Sequence, residues 1–169
     1  MPAPLSRPVK LPRHTMPSET KQRIVALILE KLREEFDARL AASRQTRAEG
    51  NDEESKAEGK YDTRSIEENY LADGLAQQAQ AAALAAAEFE KVPLEDLPPG
   101  SPADVGALVE IEFPDGVEWF FIGPAGGGTE ITLDGRTITV VTPESPLGAK
   151  ILDRRAGADI PGLKLRSVT

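Results

Sequence analysis

Two long stretches with helical spacing of apolar residues, separated by a short glycine-containing segment, constrain this chain more than any other feature. In the first, which follows the N-cap residue Ser18, apolar positions recur every three or four residues at Val25, Leu29, Leu32, Phe36 and Leu40. The second runs from about Asp62 or Thr63 to Lys91, with an inner seam of Ile66, Leu75, Ala79, Ala82, Ala86 and Phe89. Small seam residues let helices approach closely. The pattern predicts an antiparallel coiled-coil hairpin over residues 18–92 with arms of about 45 Å.

The segment between the two arms, residues 50–62, is predicted to form the tip of the hairpin. Gly50 and Asn51 are expected to end the first helix, and Gly59 gives a second flexible point. Five acids, Asp52, Glu53, Glu54, Glu58 and Asp62, stand against two lysines, Lys56 and Lys60. An acidic cluster is therefore expected at the end of the hairpin. Acidic residues between helices are also typical of plain solvated surface, and that interpretation stays open.

The second half of the chain changes to strand spacing. Residues 93–104 are rich in proline and predict a linker, and from Val105 apolar residues alternate with polar ones. Turn signals at Pro114–Gly116 and Asp134–Gly135 predict hairpins, and a final strand is expected at residues 163–168. Ser145 and Pro146 predict the start of a short helix closed by Gly157, with Leu147, Ile151 and Leu152 on its inner face. Residues 105–169 thus predict an antiparallel sheet around one short helix, and the whole chain an α+β protein.

Composition narrows the class of function. A formal net charge of -8 argues against independent binding to nucleic acid and favours a protein partner with a basic surface. The absence of cysteine excludes disulfides and zinc–thiolate sites. No apolar run reaches the roughly 20 residues of a membrane span, and residues 1–17, a basic proline-rich stretch, are expected to be a disordered tail without a secretion signal. A cytoplasmic protein without membrane association is expected.

One set of residues resembles a known family. The stretch 120–124, FFIGP, is followed by a helix start of Ser145, Pro146 and Leu147, then by Gly148, Ala149, Leu152, Gly157 and Asp159. This pattern resembles the C-terminal domain of the Gre family of transcription elongation factors, which is similar to the FKBP fold. A helical hairpin followed by this domain is also the order of that family. The tip is similar in content but differs in spacing, and the glycines at 126–128 and the short end after Leu165 indicate a divergent branch.

The resemblance implies a function at bacterial RNA polymerase. Gre-type factors push the hairpin into the secondary channel and lend carboxylates to the polymerase magnesium, which activates water to cut backtracked RNA. By resemblance Asp52 and Glu54 are the metal-directed pair, with Glu53 as the substitute. Magnesium prefers oxygen ligands at about 2.0 to 2.1 Å and is often held by only one or two carboxylates.

On this interpretation the chain is a monomer and no enzyme on its own. It has no resident cofactor or stably bound metal, shares the Mg²⁺ of the polymerase, and meets nucleic acid, including DNA, only through the transcription complex. Two alternatives remain: a Gre-like regulator that modulates or inhibits polymerase from the same channel without cleavage, and a coiled-coil interaction module whose acids only keep it in solution.

Contacts with polymerase are expected at seven residues: Tyr61, Trp119, Phe121, Gly123, Pro124, Ser145 and Pro146. Simpler interpretations exist for the aromatic ones. Tyr61 and Tyr70 are expected to pack against the first arm, and Trp119 to Phe121 are typical of a sheet core. The glycines at 126–128 predict a turn, since no helix with a phosphate-binding lysine follows them.

Overall fold

The structure, a computed structural model, describes residues 18–54 and 63–169, with side chains described for residues 18–49 and 66–169. Two long helices, α1 (Glu19–Glu54) and α2 (Thr63–Phe89), are followed by a sheet of six strands and one short helix. The strands are β1 (Leu108–Phe113), β2 (Gly116–Ile122), β3 (Glu130–Leu133), β4 (Arg136–Val141), β5 (Asp159–Ile160) and β6 (Leu163–Val168), with α3 (Pro146–Ile151) between β4 and β5. The predicted α+β class is confirmed. The predicted domain boundaries stay predictions, and the tail 1–17 lies outside the described residues.

The two long helices pair in antiparallel fashion. Ion pairs join Arg33 to Glu90 near one end and Arg47 to Asp73 further along, so the residue number rises on one arm as it falls on the other. The predicted end of α1 at Gly50 is wrong, because the helix continues to Glu54. A glycine inside a helix costs only about 1 kcal/mol, and the glutamates that follow favour helix.

The sheet has the order β3-β4-β2-β1-β6-β5. The two hairpins predicted from turn residues are present, and in the second both Asp134 (φ 51°) and Gly135 (φ 76°) have the positive φ of a type I′ turn. One pairing differs from the antiparallel prediction: β2 and β4 are parallel, which makes the sheet mixed. The two-residue strand β5, which pairs with β6, was not predicted either.

Alternation along the strands gives the sheet two buried faces. On β2, Phe121 belongs to the core that includes the hairpin, whereas Phe120 and Ile122 belong to the core that includes Ile151 of α3. The hairpin residues of the first core are Ile24, Val25, Ile28, Leu32, Ala85 and Phe89. The sheet therefore lies between α3 on one face and the base of the hairpin on the other.

Candidate functional site

The seam between the arms of the hairpin is built from small residues. Ala72, Ala79 and Ala82 on α2 are at most 4% exposed. Opposite them on α1, Ser43 is buried and its hydroxyl donates a hydrogen bond to the carbonyl of Ala72 at 2.7 Å. A side-chain hydroxyl bonds directly to the backbone of the other arm only where the helices lie close together. The small-residue seam predicted from the sequence is therefore confirmed over this stretch.

The base of the hairpin is packed against the sheet around Phe89. This ring is 1% exposed and stacks on Phe121 with centroids 6.3 Å apart. The backbone of Gly123 approaches it so closely that a Cβ at this position would lie 2.6 Å from Phe89 Cζ. A larger residue at position 123 would push the base of the hairpin away from the sheet.

The start of α1 is tied to the segment that follows α2. The backbone N–H of Ser18 donates to the carbonyl of Leu94 at 2.7 Å, and Lys21 Nζ donates to the carbonyl of Glu95 at 2.8 Å. Burial of the lysine ammonium lowers its pKa, although the carboxylates of Asp96 and Glu95 act in the opposite direction. These bonds hold the two ends of the hairpin base together.

A second tie runs from α1 to the turn between β3 and β4. The guanidinium of Arg23 donates two hydrogen bonds to Asp134, at 2.9 and 3.2 Å, and this pairing raises the pKa of Arg23. Both side chains are more than half exposed, so the pair adds little stability but aligns the hairpin with the sheet edge.

The other end of the hairpin extends beyond the sheet. The α1 residues that line a groove against the loop at 125–129 are Leu32, Glu35 and Arg39. From Arg39 the helix continues to Glu54, about 22 Å further, and along this stretch Ser43 and Arg47 bond to α2. The hairpin thus carries its end away from the body of the molecule.

The predicted acidic site lies at this end. Asp52, Glu53 and Glu54 occupy the last turn of α1, and their side chains lie outside the described residues. Glu58 and Tyr61 also lie outside them. In the part of the chain that the structure describes, no group of three or more possible metal ligands is found. The assignment of Asp52 and Glu54 as the metal-directed pair stays a prediction.

Exposed apolar side chains near the same end were not predicted. Ile66 was expected in the seam but is 52% exposed, and Tyr70 was expected to pack against the first arm but is 75% exposed. Ala72 occupies the seam instead, fully buried. The reason is helical phase, because Ile66 and Tyr70, four residues apart, share a face that Ala72 does not. Leu71, 58% exposed, lies beside them.

The aromatic residues predicted to contact polymerase have different environments. Phe121 is fully buried beneath the hairpin and offers no surface to a partner. Trp119 is partly buried, and the Arg136 guanidinium lies 5.0 Å from its ring centroid, in a cation–π arrangement. Gly123 is buried, and Pro124 is partly buried next to it. Only Trp119 and Pro124 of these four keep accessible surface.

The predicted helix start at Ser145 is confirmed. Its hydroxyl accepts a hydrogen bond from the N–H of Gly148 at 3.0 Å and donates one to the carbonyl of Thr142 at 2.7 Å. Pro146 is the first helical residue and is exposed. The helix ends at Ile151 with Leu152 as its cap, so the predicted end at Gly157 is wrong. Ser145 shapes the turn, whereas Pro146 is the accessible residue of the motif.

Comparisons with known proteins give structural neighbours alone. No family model matches the chain, and no curated protein matches it. The chain is similar to the crystal structure of GreA factor homolog 1 (Gfh1) of Thermus thermophilus, with 16% identity, 88% of this chain and 94% of that chain covered, and a TM-score of 0.32. It is also similar to Thermus aquaticus Gfh1, with 17% identity, 82% and 94% covered, and a TM-score of 0.29. Similarity this low adds no argument about function.

Among the described residues no helix is both long and apolar enough to cross a membrane.

Proposed function

We propose that this chain is a Gre-like transcription factor that binds bacterial RNA polymerase, inserts its hairpin into the secondary channel and stimulates cleavage of backtracked RNA. The observation that carries the proposal is the geometry of the hairpin, whose acid-bearing end lies about 22 Å beyond the groove at Arg39. A narrow helical pair of this kind suits a channel that a whole domain cannot enter. The protein acts in the cytoplasm as a monomer.

The motif that carries the family resemblance supports the same proposal. Ser145, Pro146 and Gly148 form a capped helix start against Thr142. The residues that carry the resemblance therefore also form a defined, hydrogen-bonded local structure. Among the described members of the predicted contact set, Pro146 is exposed and Trp119, Pro124 and Ser145 are partly buried. We assign polymerase contact outside the channel to them.

The chemistry assigned to the tip is metal-assisted hydrolysis shared with the polymerase. Two tip carboxylates would add oxygen ligands to a magnesium ion of the polymerase, and that ion would supply the Lewis-acid chemistry for hydrolysis of the RNA backbone. Asp52 and Glu54 are the proposed pair, with Glu53 as the substitute. On this proposal the chain has no activity alone, because metal and RNA both belong to the polymerase.

RNA cleavage in stalled, backtracked polymerase complexes tests the proposal. The chain should shorten the RNA, and Asp52→Ala with Glu54→Ala should abolish that cleavage while binding persists, because both proposed metal-directed carboxylates are removed. The matched control removes two exposed acids from α1 nearer its base, Glu34→Ala with Asp37→Ala, and should cleave as the wild type does. Equal loss in both double variants would show a general effect of charge and contradict the assignment.

One observation favours a second function, regulation from the same channel without cleavage. Because α1 continues to Glu54, positions 52 and 54 lie about 200° apart around a helix axis. Positions on opposite sides of a helix do not converge on one metal ion while that helix stays intact. Binding to polymerase without shortened RNA would select the regulator. Absence of binding, together with a stable dimer in sedimentation, would instead favour a coiled-coil interaction module.

A further inference from the structure

The distal part of α2 presents an apolar surface to solvent. Ile66, Tyr70 and Leu71 are 52%, 75% and 58% exposed, and we call these three residues the distal patch. Ile66 and Tyr70 are four positions apart and lie side by side on the helix, and Leu71 is about 100° further around the helix axis than Tyr70. The patch begins near the acidic tip, within two turns of the start of α2.

More than half of each side chain of the distal patch is exposed to solvent rather than packed between the arms. The seam at this level is made by Ala72, which is fully buried and receives the hydrogen bond from Ser43. Five large apolar side chains are exposed among the described residues, and three of them are the distal patch. The other two, Leu84 and Val117, stand alone. Clustering of this kind, rather than scattered exposure, is typical of a surface that another molecule covers.

The charges around the patch restrict what that molecule is. Glu67 lies between the patch residues and Asp73 follows them, whereas α2 carries no lysine or arginine after Arg64. Asp73 pairs with Arg47 of α1. A second copy of the chain would place the same acids, and the acids of the tip, against each other, which costs free energy. The surface therefore fits a partner with apolar groups flanked by cations.

We propose that the distal patch docks on the wall of the polymerase channel, an inference that rests on the proposed function and names the surface by which the hairpin is held. Tyr70 and Ile66 supply apolar contact area, and the neighbouring Glu67 carboxylate pairs with a basic residue of the wall. The channel wall then holds the hairpin at the distal patch, behind the tip acids that approach the metal. Affinity and chemistry are thereby divided between different residues of the same hairpin.

Alanine variants of exposed residues test this division. Tyr70→Ala and Ile66→Ala each remove one side chain of the patch. The matched control is Leu84→Ala, which removes a 62% exposed leucine from the same face of α2 about 20 Å nearer the sheet. Alanine is the best helix former, so all three variants should keep the hairpin, as circular dichroism would show. The readouts are the Kd for core polymerase and the rate of RNA cleavage at saturating protein.

We expect Tyr70→Ala to weaken binding about tenfold and Leu84→Ala to change it less than about twofold, since aromatic residues dominate contact energy. Cleavage at saturation should be unchanged in Tyr70→Ala and lost in the tip double variant.

If the wild type binds and Tyr70→Ala binds equally well, or Leu84→Ala is weakened as much, the docking role is refuted while the proposed function stands. No binding by the wild type refutes both. A wild-type dimer that Tyr70→Ala dissolves assigns the patch to a second copy and overturns the proposal.

Discussion

At the scale of single residues, the helix start at Ser145 depends on a glycine that nothing larger can replace. A Cβ on Gly148 would lie 1.9 Å from the carbonyl oxygen of Thr142, which is the same oxygen that accepts the hydrogen bond from Ser145. The carbonyl group of Thr142 in the turn therefore lies directly against the backbone of Gly148 in the helix. This explains why the motif carries a glycine inside a helix, where glycine is normally unfavourable.

Replacing that glycine should destabilise the protein strongly. We expect Gly148→Ala to lower the free energy of unfolding by about 3 kcal/mol, because the new methyl group meets backbone that has no rotamer to change. Gly74→Ala is the matched control, since a Cβ there meets nothing within 4 Å and the residue lies inside α2. The control should be more stable by about 0.5 to 1 kcal/mol. Urea unfolding of both variants measures the difference, and equal effects would contradict it.

The buried Lys21 predicts a particular pH dependence. Burial lowers its pKa in the folded state, so between that lowered pKa and the ordinary value of about 10.4 the unfolded chain binds more protons than the folded one. The free energy of unfolding contributed by this residue therefore rises with pH in that window, and below it the penalty for burying the ammonium is fully present.

The measurement compares wild type with Lys21→Met in urea at several pH values up to about 10. The free energy of unfolding of the wild type should increase relative to that of Lys21→Met as the pH rises. Lys31→Met, which removes an exposed lysine of the same helix, serves as the control. Parallel curves for wild type and Lys21→Met would show that the buried amine does not titrate differently on folding.

At the scale of elements, the hairpin depends on alanine for close packing rather than on large apolar side chains. Ala79 is 1% exposed in the seam, whereas Ala83, four residues later at the edge of the seam, is exposed. The arms are thus held by backbone proximity and by the bond from Ser43 to Ala72. Such a pair is narrow, which is what entry into a channel requires.

A larger residue in the seam should separate the arms. We expect Ala79→Leu to cost about 1 to 3 kcal/mol through overpacking, and Ala83→Leu to change stability by less than about 0.5 kcal/mol. Thermal unfolding followed by circular dichroism at the helix signal measures both. If the two substitutions have the same effect, the seam is not tightly packed at Ala79.

Helices, turns and strands that have a local sequence signal were predicted well. Helix α2, both two-residue turns and strand β6 were predicted, because each has a signal within a few residues, such as the Asp134–Gly135 turn. The parallel pairing of β2 with β4 was not, since it joins segments separated by β3 and has no turn of its own. The end of α1 was misplaced because glycine weakens a helix without being obliged to end it.

At the scale of the whole molecule, the sheet holds one end of the hairpin and leaves the other free. Phe89, Lys21 and Arg23 all lie at the base, where they contact the sheet, the following segment and the β3–β4 turn. The predicted tip acids and the distal patch lie at the opposite end. On the proposed function, the length of the hairpin decides whether the acids reach the metal.

Shortening both arms together should leave the protein folded but abolish its proposed function. Deleting residues 37–43 with residues 72–78 removes seven residues from each arm, keeps the phase of the seam and shortens the hairpin by about 10 Å. We expect a folded protein with normal thermal unfolding of the sheet but no stimulation of RNA cleavage. Cleavage at the wild-type rate by the shortened protein would contradict a reach-dependent mechanism.

Sequence and structure contribute different parts of the candidate site. The acids at 52–54 and the Ser145 helix start were found from composition and motif, which are local properties. The exposure of Tyr70 was missed, because which face of α2 turns inward depends on the register between the arms, and one residue of phase moves a side chain by about 100°. Likewise Phe121, which the motif marked as a contact, is covered by the hairpin.

Local sequence predicted the periodicity of each segment, the turns, the starts of α1 and α3 and the charge of the tip, since these arise from neighbours along the chain. Long-range packing sets the buried faces, the parallel pairing of β2 with β4 and the position of the hairpin on one face of the sheet with its patch exposed. The reason is physical. Burial and register depend on contacts between residues far apart in the chain, such as Phe89 with Phe121, and no local pattern specifies those partners.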